Sequence, residues 1–233
     1  MKLSELFKTC NELDYDTAGD SVNYKFIEDG TTLYIYFQGS NQISDWVRNF
    51  LFKKRPYNEM EIPFRVHRGF LAAWKEVEDI IINKITDSYT ELVKTEDMPR
   101  PSIKRFFKFD HIVVVGYSHG GALAAFCHEC CWFYRPDLRK EGLEGYGFEA
   151  PRIYGGLSVK EELKERWAHF TVIRTNNDIV THCPPSIFGY THVGNLLKVV
   201  GDTHLVKNNL PICVKSHYPQ VVYDALVKYE ENS

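Results

Sequence analysis

The sequence predicts an α/β fold, with a mostly parallel central sheet, helices on both faces and an N-terminal antiparallel hairpin. Three observations carry this reading. His111-Ile112-Val113-Val114-Val115 is a nearly continuous β-branched run, as expected of a parallel strand buried on both faces. It leads through a glycine-rich turn into a segment from about 119 to 133 with apolar residues on all sides, an internal helix that must stop before Pro136. Strand-like and helix-like segments alternate along the rest of the chain.

Leu3, Leu6, Phe7, Cys10 and Leu13 recur at helical spacing and predict a short amphipathic helix packed on the body. Tyr24 to Ile27 and Thr32 to Phe37 are rich in aromatic and β-branched residues, and the Asp29-Gly30 pair between them signals a hairpin. Phe70, Trp74, Val77, Ile81 and Ile85 keep a helical period, so one long helix is expected over about 69 to 93. Further strands are expected at Tyr146-Gly147-Phe148 and Phe170-Thr171-Val172-Ile173, and a last helix from about Pro219 to Tyr229. With no repeat, low-complexity tract or linker, residues 1–233 are expected to form one domain.

Composition narrows the function classes. Apolar residues make up 44% of the 233 and charged residues 25%, ordinary for a folded domain. A net charge of -3 without a dense Lys/Arg stretch offers no field for phosphate backbones, so nucleic acid is not an expected partner. No obligate protein partner is expected either. Glu5, Lys8 and Glu12 interrupt the apolar runs of the N-terminal segment, unlike the core of a signal peptide. No apolar run approaches the length of a membrane span, and the cytoplasm is the expected compartment. The six cysteines are widely spread, and Cys127-His128-Glu129-Cys130-Cys131 has no second ligand pair at matching spacing. Buried thiols are expected there, and neither a metal nor an organic cofactor is required.

Gly116-Tyr117-Ser118-His119-Gly120 is a G-x-S-x-G sequence between the buried strand and the apolar helix. A sharp strand-to-helix turn strains the serine backbone, and side chains two residues either side of it would collide with neighbouring backbone. Glycine removes the collision and lets Ser118 stand above the sheet edge. The helix that follows directs free N–H groups and its positive dipole end at any oxyanion formed there. Ser118 is therefore the candidate nucleophile.

A serine hydroxyl needs a histidine base, itself oriented by a carboxylate. Asp178 is the candidate acid, because Thr175-Asn176-Asn177-Asp178 follows a predicted strand, where α/β sites assemble. Four histidines lie downstream: His182, His192, His204 and His217. Spacing alone does not choose among them, although His217, just before the last helix, is the best placed.

Several segments together resemble the class 3 lipase family, which includes the fungal triacylglycerol lipases. Phe37-Gln38-Gly39-Ser40 with Ser44-Asp45-Trp46-Val47 looks like that family's oxyanion strand and adjoining helix, and Val66 to Phe70 like its next landmark. Gly116 to Ala122 matches its elbow, Phe148-Glu149-Ala150-Pro151-Arg152 its following strand and turn, and Asn177 to Val180 with Pro184-Pro185 its acid loop. Tyr190 to Gly194 and Ser216-His217-Tyr218 complete a likeness covering roughly residues 20 to 229. The resemblance implies an α/β-hydrolase fold and hydrolysis of acylglycerol or other lipid-like esters. It implies Ser118 as nucleophile, Asp178 as acid, His217 as base, and Ser40 and His119 as backbone oxyanion donors. His192 falls on a position regarded as structural.

The chain departs from the family pattern at Gln38, where arginine is usual, and at Tyr117 and His119 of the elbow. A backbone N–H does not depend on its side chain, so the mechanism survives, but the His119 imidazole makes the acyl side of the pocket more polar. Ile43, Trp46, Val47 and Phe50 give the segment after Ser40 more apolar bulk than an exposed connection needs, which fits either a permanently packed helix or a mobile lid over the substrate site that makes transient contact with a lipid surface. An acyltransferase on the same fold and a non-catalytic lipid- or protein-binding scaffold are the alternatives.

Overall fold

The structure, a computed structural model, describes residues 2–20, 22–39, 53–57, 64–94, 100–155 and 161–233. Helix α1 (Leu3–Glu12) is followed by β1 (Asp16–Ala18), β2 (Val22–Asp29), β3 (Thr32–Phe37), β4 (Lys54–Tyr57) and β5 (Phe64–His67). Then come α2 (Arg68–Ile85), β6 (Ser88–Val93), β7 (Ser102–Phe107), β8 (His111–Tyr117), α3 (His119–Tyr134), β9 (Leu143–Phe148) and β10 (Tyr154–Gly155). β11 (Phe170–Thr175), β12 (Tyr190–Thr191), β13 (Asn195–Val199) and α4 (Pro219–Glu231) complete the main elements, with short helical turns between them.

The central sheet has the order β1-β2-β3-β8-β9-β11-β13. Its first three strands are an antiparallel meander, and every pairing from β3 to β13 is parallel. The Asp29-Gly30 signal is borne out: Asp29 faces Thr32 across the β2–β3 turn, and Gly30 takes the left-handed backbone (φ 57°) that the turn requires. A smaller antiparallel sheet, β12-β10-β5-β4, lies beside α2.

Side chains of the central strands alternate between two apolar layers, the period of two that a pleated strand imposes. Leu33, Ile35 and Phe37 of β3 with Ile112 and Val114 of β8 join the layer built with α2 and α3. Tyr36, Val115, Tyr117 and Phe148 join the other, with Leu6, Phe7 and Cys10 of α1 and Val222, Ala225 and Leu226 of α4. The Phe7 ring meets Tyr117 at 5.3 Å and Phe148 at 5.1 Å, wedging α1 under the strands that end at the elbow. Helix α3 is buried on all sides from Gly120 to Cys131, as its sequence predicts.

The long helix expected over 69 to 93 is wrong beyond Ile85. Helix α2 ends at Ile85, and Ser88–Val93 pairs antiparallel with Ser102–Phe107 in a separate two-stranded ribbon. The helical apolar spacing stops at Ile85, and Ser-Tyr-Thr-Glu-Leu-Val has the β-forming side chains of a strand. The turn is fixed where Thr86 Oγ1 donates to the Ile82 carbonyl (2.7 Å) and Lys108 N–H to the Asp87 carbonyl (2.8 Å).

Helix α3 carries a charge inside. Glu129 is buried and pairs with buried Arg166, while Cys127, Cys130 and Cys131 of the same helix are free buried thiols. Burial pushes the Glu129 carboxyl up to about 7 against the pull of Arg166. The folded chain therefore holds that proton more tightly than the unfolded one, so the contribution of this group to stability is full in acid and declines as pH rises from about 4.5 to about 7. Arg166→Ala, which strands the carboxyl, is expected to cost about 3 to 5 kcal/mol. Thermal unfolding should show a Tm drop of roughly 10 °C, partly recovered by adding Glu129→Gln.

Candidate active site

Strand β8 delivers Ser118 and α3 begins at the next residue, so the serine must turn the chain by itself. It does so at φ 55°, ψ -120°, a conformation costing about 1 to 3 kcal/mol outside glycine. Its N–H donates to the Phe148 carbonyl (2.8 Å), and its carbonyl accepts from Gly121 N–H (3.0 Å). A Cβ on Gly116 would lie 2.0 Å from the Gly120 carbonyl oxygen, and one on Gly120 would lie 2.2 Å from that of Phe37. Both flanking glycines are thus fixed by close backbone approach.

The imidazole comes from the opposite end of the chain. Tyr117 stacks on His217 (centroids 5.2 Å apart, planes at 22°), and its hydroxyl donates to the His217 carbonyl. Thr175 Oγ1 donates to the Ser216 carbonyl (3.1 Å), and Ile179 N–H to that of Cys213 (3.0 Å), tying the acid loop to the histidine loop. His217 Nε2 then lies 2.8 Å from Ser118 Oγ and its Nδ1 2.5 Å from Asp178 Oδ2. All three side chains are fully buried.

Asp178 Oδ1 accepts from Val180 N–H (2.8 Å), which leaves Oδ2 for the imidazole. Burial opposes ionisation of Asp178, yet its interactions with His217, Glu149 and Val180 together outweigh it and hold the carboxyl below its usual range. An ionised Asp178 places the imidazole proton on Nδ1, so Nε2 presents a lone pair to the serine hydroxyl. The arrangement can remove a proton from Ser118 and stabilise the resulting imidazolium.

Among the four candidate histidines, only His217 reaches the elbow. His192 Nε2 bonds the Thr181 carbonyl (2.8 Å), with burial pushing the ring down to about 4, and His182 Nδ1 bonds the Asp178 carbonyl (2.8 Å). His204 is exposed in a helical turn. His119 opens α3, where N–H groups have no preceding helical carbonyl to donate to. Its ring packs on Phe70 (5.2 Å), and burial pushes it down to about 4, so it is neutral near pH 7.

Ser40 and the apolar set Ile43, Trp46, Val47 and Phe50 lie outside the described residues. Strand β3, which leads toward Ser40, is the direct parallel neighbour of β8, with Phe37 opposite Gly116. Val66 to Phe70 acquires a physical role: His67 Nδ1 caps α2, accepting from Gly69 N–H (3.1 Å) and Phe70 N–H (3.4 Å).

Sequence reasoning assigned no role to Glu149. It follows β9 in left-handed backbone (φ 50°), is fully buried, and offers a carboxyl oxygen within 4.8 Å of donor atoms of Asp178 and His217. The only signal was a carboxylate directly after a predicted strand. These three residues are the one group with metal-ligand spacing among the described residues, but Asp178 Oδ2 and His217 Nδ1 already face each other.

A parallel sheet, a serine at a strained strand-to-helix turn, and a histidine and carboxylate in line behind it define an α/β-hydrolase fold with a nucleophile elbow. A model of the class 3 lipases matches residues 34–188, and the chain belongs to that family. It is 28% identical over 195 residues to a lipase of Rhizomucor miehei, covering 82% of this chain and 47% of that one. It is 28% identical over 162 residues to secreted mono- and diacylglycerol lipase 1 of Fusarium solani, covering 69% and 41%. The chain thus spans about half the length, or less, of these curated relatives. A solved triacylglyceride lipase of Rhizomucor miehei superposes with a TM-score of 0.61 at 22% identity, over 83% of this chain and 67% of that one.

Proposed function

We propose that this chain is a serine carboxylic-ester hydrolase for acylglycerol or other lipid-like esters, working through an acyl-enzyme. The observation that carries the reading is the unbroken line Ser118 Oγ, His217 Nε2, His217 Nδ1, Asp178 Oδ2, at 2.8 and 2.5 Å. In the first step His217 takes the Ser118 proton as Oγ attacks the ester carbonyl, and it then protonates the departing alcohol. Water, activated by the same imidazole, releases the acid. His119 N–H, with Ser40 N–H, holds the tetrahedral oxyanion, each donor worth about 3 kcal/mol of barrier. None of these steps calls for a cofactor. The relatives' names, lipase and mono- and diacylglycerol lipase, support the substrate class.

The burial of Ser118 means that substrate entry requires a covering element to move. The proposed cover is the apolar segment containing Ile43, Trp46, Val47 and Phe50. Hydrolysis of p-nitrophenyl esters from acetate to palmitate tests the activity, and its chain-length optimum separates an esterase from a lipase. The rate on one long ester is expected to rise several-fold above its micelle threshold. An unchanged rate would remove the lid, and ester products from added alcohols would redirect the reading to acyl transfer.

The cytoplasmic compartment belongs to the same proposal. Its support is the six free cysteines, which suit a reducing environment. No helix among the described residues is long and apolar enough to cross a membrane. The Fusarium relative is named as secreted, so fractionation of the native host is the decisive observation.

A further inference from the structure

We infer that Glu149 is a second acid of this site, a positioning residue that keeps its proton and donates a hydrogen bond to Asp178. The inference rests on the ester-hydrolase reading. Its starting point is the backbone: at φ 50° glycine would sit without strain, whereas a glutamate there is tolerated only if its side chain is used. The side chain runs inward. Oε1 accepts from Thr175 N–H (2.7 Å), which fixes the carboxyl at the end of β11, three residues before Asp178. Oε2 is buried without a hydrogen-bond acceptor or donor of standard geometry, on a carboxyl that lies within 4.8 Å of Asp178 and His217 donor atoms.

Two carboxylates cannot both ionise at that separation in a buried site. Asp178 receives two donors, Val180 N–H and His217 Nδ1–H, against one for Glu149, Thr175 N–H, so the proton belongs on Glu149. Burial and the neighbouring Asp178 push the Glu149 carboxyl well above its usual range, in agreement with the geometry. The titratable and polar groups facing it are Asp178 and His217 from the two loops, Thr175 from β11 and Tyr117 from β8. The Tyr117 hydroxyl is engaged by the His217 carbonyl. A protonated Glu149 thus gives Asp178 a third donor and fixes its carboxylate plane without adding charge. An ionised Glu149 would add a second negative charge, favour the charged imidazolium and move the acid limb of activity to higher pH.

The test follows the rate at which an alkyl fluorophosphonate modifies Ser118 across pH 5 to 9. In that reaction Ser118 Oγ bonds to phosphorus, fluoride leaves and the serine proton passes to His217. Glu149→Gln keeps both the acceptor for Thr175 N–H and a donor for Asp178. It is expected to retain the rate within about two-fold and leave the acid limb unmoved. Glu149→Gly relieves the left-handed backbone and removes the carboxyl, so it is expected to fold at least as well yet react roughly ten-fold more slowly. An acid limb lowered by half a pH unit or more in Glu149→Gln would mean that Glu149 is ionised, and would overturn the proposal. So would a Glu149→Gly variant that reacts like the unaltered protein. Should Glu149→Gly fail to fold, the Glu149→Gln limb still decides. If the unaltered protein is not labelled at Ser118, the hydrolase reading fails, a result distinct from both.

Discussion

Ser118→Ala is expected to lower kcat on a p-nitrophenyl ester by roughly 10⁶-fold, leaving KM and the fold intact. Alanine keeps the Cβ and therefore the same backbone strain, so only the nucleophile is lost. The residual rate would come from binding and from the oxyanion donors, which act on water attack as well. Loss of fluorophosphonate labelling, read by mass spectrometry, ties the effect to this one oxygen. A variant retaining more than about one part in 10² of the rate would point to another nucleophile. Ser118→Gly gives the complementary measurement. Glycine accepts φ 55° freely, so the unfolding free energy should rise, although activity is gone, by the roughly 1 to 3 kcal/mol that the serine stores, read as a higher Tm. Stability and activity moving in opposite directions would identify the turn as strained for the sake of the exposed hydroxyl.

The elbow was legible because its causes are local. A β-branched run, two glycines and an apolar helix occupy consecutive residues, and the collisions that demand Gly116 and Gly120 involve backbone within or beside that segment. Strand β8, a continuous apolar run buried on both faces, was legible for the same reason. The proposed base was not, since His217 reaches Ser118 across 99 residues, and what places it there is the Tyr117 stack and the Ser216 carbonyl's bond to Thr175. Family resemblance supplied the choice that periodicity withheld. Helix α2 was over-extended because its apolar spacing, which ends at Ile85, was carried on into a ribbon strand whose pairing partner begins beyond Val93. β10 and β12 have two residues each and carry no periodicity to read. Glu149 was hidden because a left-handed φ and a carboxylate neighbour from another loop leave no trace in composition or spacing.

Asp178→Asn is expected to lower kcat by about 10⁴-fold at nearly unchanged stability, and the hydrogen bonds explain why the amide cannot rescue itself. The substituted side chain has one acceptor oxygen, and Val180 N–H already claims the Oδ1 position at 2.8 Å. Its NH₂ must then occupy the site of Oδ2 and face His217 Nδ1 at the distance of a short hydrogen bond. Two donors cannot meet there, so the imidazole shifts its proton to Nε2. The nitrogen facing Ser118 becomes a donor and cannot remove the hydroxyl proton. An amide flip would restore the imidazole's acceptor only by leaving Val180 N–H opposed to an NH₂ group, a buried mismatch costing about 1 to 3 kcal/mol. The proton position on His217 is directly observable: the ring N–H resonance should move from Nδ1 in the unaltered protein to Nε2 in the variant by nitrogen-15 NMR. A fall in kcat with the proton still on Nδ1 would show that Asp178 acts by charge alone, and an unaltered kcat would remove it from the relay.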